Sequence, residues 1–141
     1  LPERYIVYSG PGGALLKQEI LSIGKIFLHV HPGWLPDYRG STVVYYALLS
    51  NDAIGCSVIA LIDEIDKGPV FYRRKFDVTQ NSSLDYVFDP AVRAATLLEF
   101  FDANINRAPA PISIPHSEGQ LFFIIHPVLK HLAILSLADK R

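Results

Sequence analysis

The strongest structural constraint in this sequence is an apolar strand that ends in two histidines and a loop rich in proline and glycine. Residues 25–28 lead into His29 and His31, and the loop at 32–40 follows at once. Side chains two apart on a strand share a face, so we expect both imidazoles to leave the strand on one side. Because open α/β sheets bind ligands at strand ends, this stretch is predicted to be the functional site.

The composition is that of a globular protein. Half of the residues are apolar, 19% are charged and the formal net charge is -1. These values predict one domain over residues 1–141 and argue against a nucleic-acid-binding surface. The apolar runs are shorter than the ~20 residues of a membrane-spanning helix. Since the single cysteine, Cys56, cannot form an internal disulfide, we expect a cytoplasmic protein without a membrane partner.

The apolar pattern predicts an α/β fold with a mixed sheet. Strands at 4–9 and 25–30 flank a helix at 14–22, and a strand–helix–strand unit makes its two strands parallel. Strands at 55–62 and 69–76 are joined by a connector too short for a crossover helix. This second pair is therefore predicted to be antiparallel.

Three further elements complete the prediction. A helix at 43–49 is expected to be capped by Ser41 or Thr42. A longer helix is expected to start with Asp89 as N-cap and to end near Asn104. Its predicted core stripe consists of Ala91, Ala94, Leu98, Phe101 and Ile105. A strand at 121–125 precedes an apolar helix that is expected to pack on the sheet or on a partner through Val128, Leu132 and Leu135.

The candidate chemistry lies in His29, His31 and Asp66. A histidine can act as a general base near neutral pH, and a carboxylate such as that of Asp66 can orient it. Structural hydrogen bonding is the alternative role for a strand-end histidine, and turn formation is the alternative role for the aspartate. A metal site would need a third ligand from Asp66 or His116, and no cysteine pair or second histidine pair supports it. We therefore expect no metal.

Four motifs resemble those of the folate-dependent formyltransferases, which include glycinamide ribonucleotide, methionyl-tRNA and nucleotide-sugar formyltransferases. HPGWLPDYRG at 31–40 resembles their His-Pro-Ser-Leu-Leu-Pro-x-Tyr-x-Gly loop. The segment from IVYSG at 6–10 to the leucines at 15–16 resembles the border of the pterin pocket, and GCSV at 55–58 resembles a Gly-x-Thr-Val strand. IDKGPV at 65–70 resembles the segment with the catalytic aspartate. The motifs keep the family's order and cover residues 5–78.

The resemblance implies a three-layer, Rossmann-like fold and a reaction of one-carbon metabolism. The cofactor would be 10-formyltetrahydrofolate, whose formyl group passes to an amine of a small molecule or nucleotide sugar. His31 would handle the amine proton with Asp66 as its partner, and a hydrogen-bond donor would stabilise the oxyanion. The folate would be bound by Gly12, Gly13, Ala14, Leu15, Ile62, Asp63, Glu64 and Ile65.

Two features depart from the family pattern. His29 stands where the family has an asparagine that donates to the formyl oxygen. The family's N-terminal strand–helix–strand half has no counterpart before residue 5, so the first strand is expected to be an exposed edge that a homodimer partner or a missing half would cover. Hydrolysis of the same folate and a non-catalytic folate-binding or interaction role are the alternative functions.

Overall fold

The computed structural model describes residues 4–10, 14–78, 83–114 and 119–137 and has the predicted α/β class. The strands are β1 (Tyr5–Val7), β2 (Ile26–His31), β3 (Tyr38–Gly40), β4 (Ile54–Ala60), β5 (Val70–Phe76) and β6 (Gln120–Phe122). The helices are α1 (Gln18–Leu21), α2 (Val43–Leu49), α3 (Asp89–Ala103) and α4 (Pro127–Leu135), and a π-helical turn (Leu84–Phe88) precedes α3. Within these ranges no helix is long and apolar enough to cross a membrane.

The main sheet is mixed, as predicted. Its strand order is β1-β2-β4-β5. The β1–β2 pair is parallel, whereas β2–β4 and β4–β5 are antiparallel. Both predicted pairings are therefore confirmed, and the histidine strand β2 lies between two neighbours.

A second, two-stranded sheet was not predicted. It pairs β3 with β6 in parallel and ties the loop after the histidines to the C-terminal part of the chain. Aromatic stacking supports it, since the ring centroids of Tyr38 and Phe122 lie 5.4 Å apart at an interplanar angle of 13°. This small sheet forms part of the wall of the functional site, as described below.

β1 is an edge strand of the main sheet, as expected. Its Ile6 and Val7 side chains are 37% and 43% exposed. An apolar edge of this kind can pair with another strand. That a homodimer partner or a missing half covers this edge stays a prediction.

Helix α3 packs on β2, β4 and β5, with a different face from the one predicted. Its buried side chains are Val92, Thr96 and Phe100, and Phe100 is fully buried against Leu28 and Val58. Leu98 of the predicted stripe is 63% exposed and Ile105, beyond the helix, is 75% exposed. The predicted stripe was therefore wrong, because α3 packs on the sheet through the face that carries Val92, Thr96 and Phe100.

The start of α3 also differs from the prediction. The π-helical turn closes with a hydrogen bond from the Phe88 amide to the Ser83 carbonyl, 2.9 Å long. The backbone is already helical at Phe88, so Asp89 is not the N-cap. Its carboxylate instead accepts a hydrogen bond from Arg93, one turn along the helix, at 2.6 Å.

Other predicted elements are shorter or are held differently. The helix predicted at 14–22 is the single turn α1, because residues 14–16 are not helical and the backbone at Lys17 is extended. Thr42 precedes α2 in a left-handed conformation (φ 54°) and makes no side-chain cap; its hydroxyl accepts from the Ile125 amide instead. The apolar α4 buries only Ala133, whereas Val128, Leu132 and Leu135 are about half exposed and do not pack on the sheet.

Candidate active site

The two histidines lie at one cavity of about 510 Å³ at the end of β2. Both His29 and His31 line it, as their alternate spacing predicted, and Asp66 from the β4–β5 connector joins them. The structure thus brings together the three residues that the sequence singled out for catalysis.

The loop after the histidines is anchored to β4 by a buried serine. The Ser57 hydroxyl donates to the Gly33 carbonyl at 2.6 Å and accepts from the Leu35 amide at 3.2 Å. Gly55 permits this approach, because a Cβ there would lie 2.5 Å from the Cβ of Trp34. These contacts fix the path of residues 33–35 and, with them, the surroundings of His31.

Both ring nitrogens of His31 face groups of this chain. Nε2 lies 2.8 Å from the Tyr38 carbonyl oxygen and Nδ1 lies 3.4 Å from Asp66 Oδ2. A carbonyl oxygen only accepts hydrogen bonds, so Nε2 carries the proton of this contact. Gly33 leaves the room for the ring, since a Cβ at that position would lie 2.5 Å from Nε2.

Asp66 is held by the loop that it faces. It has a left-handed backbone (φ 51°), and its Oδ2 atom accepts a hydrogen bond of 2.7 Å from the Gly40 amide. The same oxygen faces His31. Because 12% of the Asp66 side chain and 3% of the His31 side chain are exposed, the carboxylate is the more accessible member of the pair.

Burial sets the electrostatics of His31. Desolvation lowers the pKa of its imidazole below the usual 6.5, although the Asp66 carboxylate and the Tyr38 carbonyl act in the opposite direction. His29 and Arg93 lower that pKa further. The neutral imidazole is therefore favoured near neutral pH, which is the form that can accept a proton.

His29 is only partly buried and is fixed by the neighbouring strand. Its Nδ1 atom lies 3.2 Å from the carbonyl oxygen of Tyr8, which follows β1. Among the described residues, its Nε2 atom has no hydrogen-bond partner. His29 thus differs from His31, both of whose nitrogens are engaged.

The cavity lining also contains charged groups that the sequence did not indicate as functional. Tyr45 of α2 donates to Asp85, Lys130 of α4 also binds Asp85, and the Asp89–Arg93 pair lies beside them. Burial and the bond to Asp85 raise the pKa of Tyr45 to about 12. The spacing of Asp89 and Arg93 on a predicted helix was a signal for their ion pair, whereas no local pattern pointed to Tyr45 and Asp85.

Most residues predicted to bind the folate line the cavity. These are Ala14, Leu15, Ile62, Glu64 and Ile65. Asp63 is exposed and is not part of the lining, and Gly12 and Gly13 lie outside the described residues. The apolar side chains among them form a wall that suits a flat ring system.

The described part of the chain holds no group of three or more histidine, cysteine, aspartate or glutamate side chains placed to bind a metal ion. His116, one candidate for a third ligand, lies outside the described residues.

Comparison with known families identifies the chain. Residues 8–94, which include β2, the loop and Asp66, match the model of the formyl transferase family. The chain therefore belongs to this family. The resemblance of its four motifs is confirmed.

Curated relatives are longer than this chain. Methionyl-tRNA formyltransferase from Ehrlichia canis is 28% identical over 101 residues, which are 69% of this chain and 33% of the relative. The chain thus spans about a third of the length of that enzyme.

Solved structures share the fold. A 4-N formyltransferase from Francisella tularensis matches with a TM-score of 0.65 and 19% identity, over 94% of this chain and 59% of that one. The formyltransferase PseJ from Anoxybacillus kamchatkensis, in complex with UDP-4,6-dideoxy-4-formamido-L-AltNAc and tetrahydrofolate, matches with a TM-score of 0.53 and 16% identity, over 70% of this chain and 52% of that one.

Proposed function

We propose that this chain transfers the formyl group of 10-formyltetrahydrofolate to the amine of a small molecule or nucleotide sugar. The observation that carries the proposal is the buried His31–Asp66 pair at the end of β2, beside His29 and on the wall of one cavity. Family membership and the tetrahydrofolate bound by PseJ support a folate donor. The net charge of -1 favours a small acceptor over a polyanion such as tRNA.

The proposed roles follow from the contacts of each residue. When the amine nitrogen attacks the formyl carbon, the C–N bond forms and the nitrogen loses a proton to the His31–Asp66 pair. When the bond from the formyl carbon to N10 breaks, the pair returns a proton to N10. Neutral His31 can hold such a proton on Nδ1, where Asp66 stabilises it. His29, at the position of the family's asparagine, would donate the hydrogen bond to the oxyanion.

The folate would lie along the apolar part of the cavity. Ala14, Leu15, Ile62 and Ile65 provide the apolar contacts for a pterin ring. Gly12, Gly13, Asp63 and Glu64 stay candidate folate contacts.

The test is formyl transfer from 10-formyltetrahydrofolate to a UDP-linked 4-amino sugar, followed by the release of tetrahydrofolate and the formamido product. We expect wild type and the exposed control His131→Asn to be active, and His31→Ala and Asp66→Asn to lose most of the activity. Equal rates in all four proteins would refute the proposed roles. Formate release without any amine would instead indicate a hydrolase, and the absence of folate binding would indicate an interaction role.

A further inference from the structure

His29 is locked into one neutral tautomer by the strand beside it. Its Nδ1 atom lies 3.2 Å from the Tyr8 carbonyl oxygen, which can only accept a hydrogen bond. Nδ1 therefore carries a hydrogen. In the neutral ring the second nitrogen, Nε2, then carries a lone pair and no hydrogen.

Nε2 of His29 is the imidazole nitrogen that is available to a ligand. His29 lines the cavity and is half-buried, and Nε2 has no partner within the described part of the chain. The two nitrogens of His31 are already engaged by Tyr38 and Asp66. A ligand in the cavity therefore meets Nε2 of His29. This atom accepts a hydrogen bond when the ring is neutral and donates one when the ring is protonated.

A formyl oxygen is a hydrogen-bond acceptor. Neutral His29 would place a lone pair against it, whereas the imidazolium carries a hydrogen on Nε2 and can donate. Building on the proposed function, we infer that His29 binds the formyl oxygen only as the imidazolium, so that a formylated folate takes up a proton when it binds. The proton comes from solvent and stays on Nε2, while the amine proton is handled separately by His31 and Asp66.

Several titratable and charged groups line the cavity with His29. They come from the segment after β1, from β2, from the β4–β5 connector, from α2, from the π-helical turn and from α3. They are Tyr8, His31, Glu64, Asp66, Tyr45, Asp85, Asp89 and Arg93. Four of these groups are carboxyls, and three of them are paired with cations: Glu64 with Lys67, Asp85 with Lys130 and Asp89 with Arg93. The fourth, Asp66, faces His31 and the Gly40 amide.

An imidazolium is also a stronger donor than a neutral amide. Hydrogen bonds from a charged donor are shorter and roughly twice as strong as neutral ones. The negative charge that develops on the formyl oxygen during transfer strengthens the bond further. Protonated histidine thus donates the hydrogen bond that the family's asparagine donates without a change of charge.

Calorimetric titration tests the inference without any acceptor. Wild type is titrated near neutral pH, at which free histidines change charge, with 10-formylfolate and with folate in two buffers of different ionisation enthalpy. The difference in heat between the buffers gives the number of protons taken up. We expect 10-formylfolate to take up a substantial fraction of one proton more than folate, because folate lacks the formyl oxygen.

Two variants separate the possible outcomes. His29→Asn keeps a donor but cannot titrate, so it should bind both ligands without the extra proton; His131→Asn, an exposed histidine outside the cavity lining, should behave as wild type. Folate binding by His29→Asn shows that the variant is folded. Equal proton uptake with the two ligands in wild type, or the same extra uptake in His29→Asn, would overturn the inference. If neither ligand binds to wild type, the proposed function itself fails.

Discussion

The Oδ2 atom of Asp66 lies 3.4 Å from Nδ1 of His31 and 2.7 Å from the amide nitrogen of Gly40. One carboxylate oxygen therefore joins the imidazole at the end of β2 to the last residue of β3. The loop between these two residues cannot shift without disturbing the pair. This relationship links the path of residues 32–40 to the protonation of the proposed catalytic histidine.

Replacing Asp66 with asparagine removes the charge and keeps the shape. We expect Asp66→Asn to lower the kcat of formyl transfer by about 100-fold or more, because proton handling by a positioned side chain is commonly worth at least that factor. Asp102→Asn is the control, since Asp102 is an exposed aspartate of α3 outside the cavity lining. The measurement is the rate of tetrahydrofolate release, and a drop of similar size in both variants would contradict a specific role for Asp66.

Burial of His31 predicts loss of stability in acid. Desolvation lowers the pKa of His31 in the folded state, so below about pH 6.5 the unfolded chain binds a proton at this residue that the folded chain excludes. The free energy of unfolding should fall as the pH drops from there to the folded pKa, by at most about 1.4 kcal/mol per pH unit from this residue.

Urea unfolding over that pH range measures this effect. His31→Asn should show a shallower pH dependence than wild type, whereas His131→Asn should keep the wild-type slope because residue 131 is exposed. The comparison uses the slope of the free energy of unfolding against pH, so a general loss of stability in His31→Asn does not affect it. Parallel curves for wild type and His31→Asn would refute the assignment.

Two strand pairings of the main sheet and the convergence of His29, His31 and Asp66 could be predicted because their signals are local. Alternation along β2 places His29 and His31 on one side, and the short connector at 61–69 forces β4 and β5 to run antiparallel. Asp66 lies in that connector, so the strand pairing alone brings it near the end of the sheet. The contacts of the ring nitrogens could not be predicted, because they involve the backbone carbonyls of Tyr8 and Tyr38.

The buried face of α3 shows why other features were missed. Apolar residues occur in adjacent pairs along this helix, at 91–92, 94–95, 97–98 and 100–101. At about 3.6 residues per turn, the predicted stripe and the buried Val92, Thr96 and Phe100 lie on opposite faces of the helix. Each face draws apolar residues from these pairs, so periodicity did not identify the buried one. The π-helical turn before α3, which contains the hydrogen bond from the Phe88 amide to the Ser83 carbonyl, was not predicted either.

The observed phase of α3 makes a direct prediction for its side chains. Phe100 is fully buried, so Phe100→Ala should lower the free energy of unfolding by about 3–5 kcal/mol. Leu98 is 63% exposed, and Leu98→Ala should change it by less than about 1 kcal/mol. Chemical unfolding of the two variants measures both values. Comparable losses would favour the stripe that periodicity predicted over the observed one.

The single cysteine provides a chemical probe of the sheet. Cys56 is fully buried in β4, and burial raises the pKa of its thiol to about 11. Since the thiolate is the reactive form, iodoacetamide near pH 8 should modify the folded protein more than about 100-fold more slowly than the urea-unfolded chain. Mass spectrometry of timed samples measures both rates. A folded protein that reacts at the unfolded rate would show that β4 opens readily, and the strand that anchors the catalytic loop through Ser57 would then not be the rigid support described above.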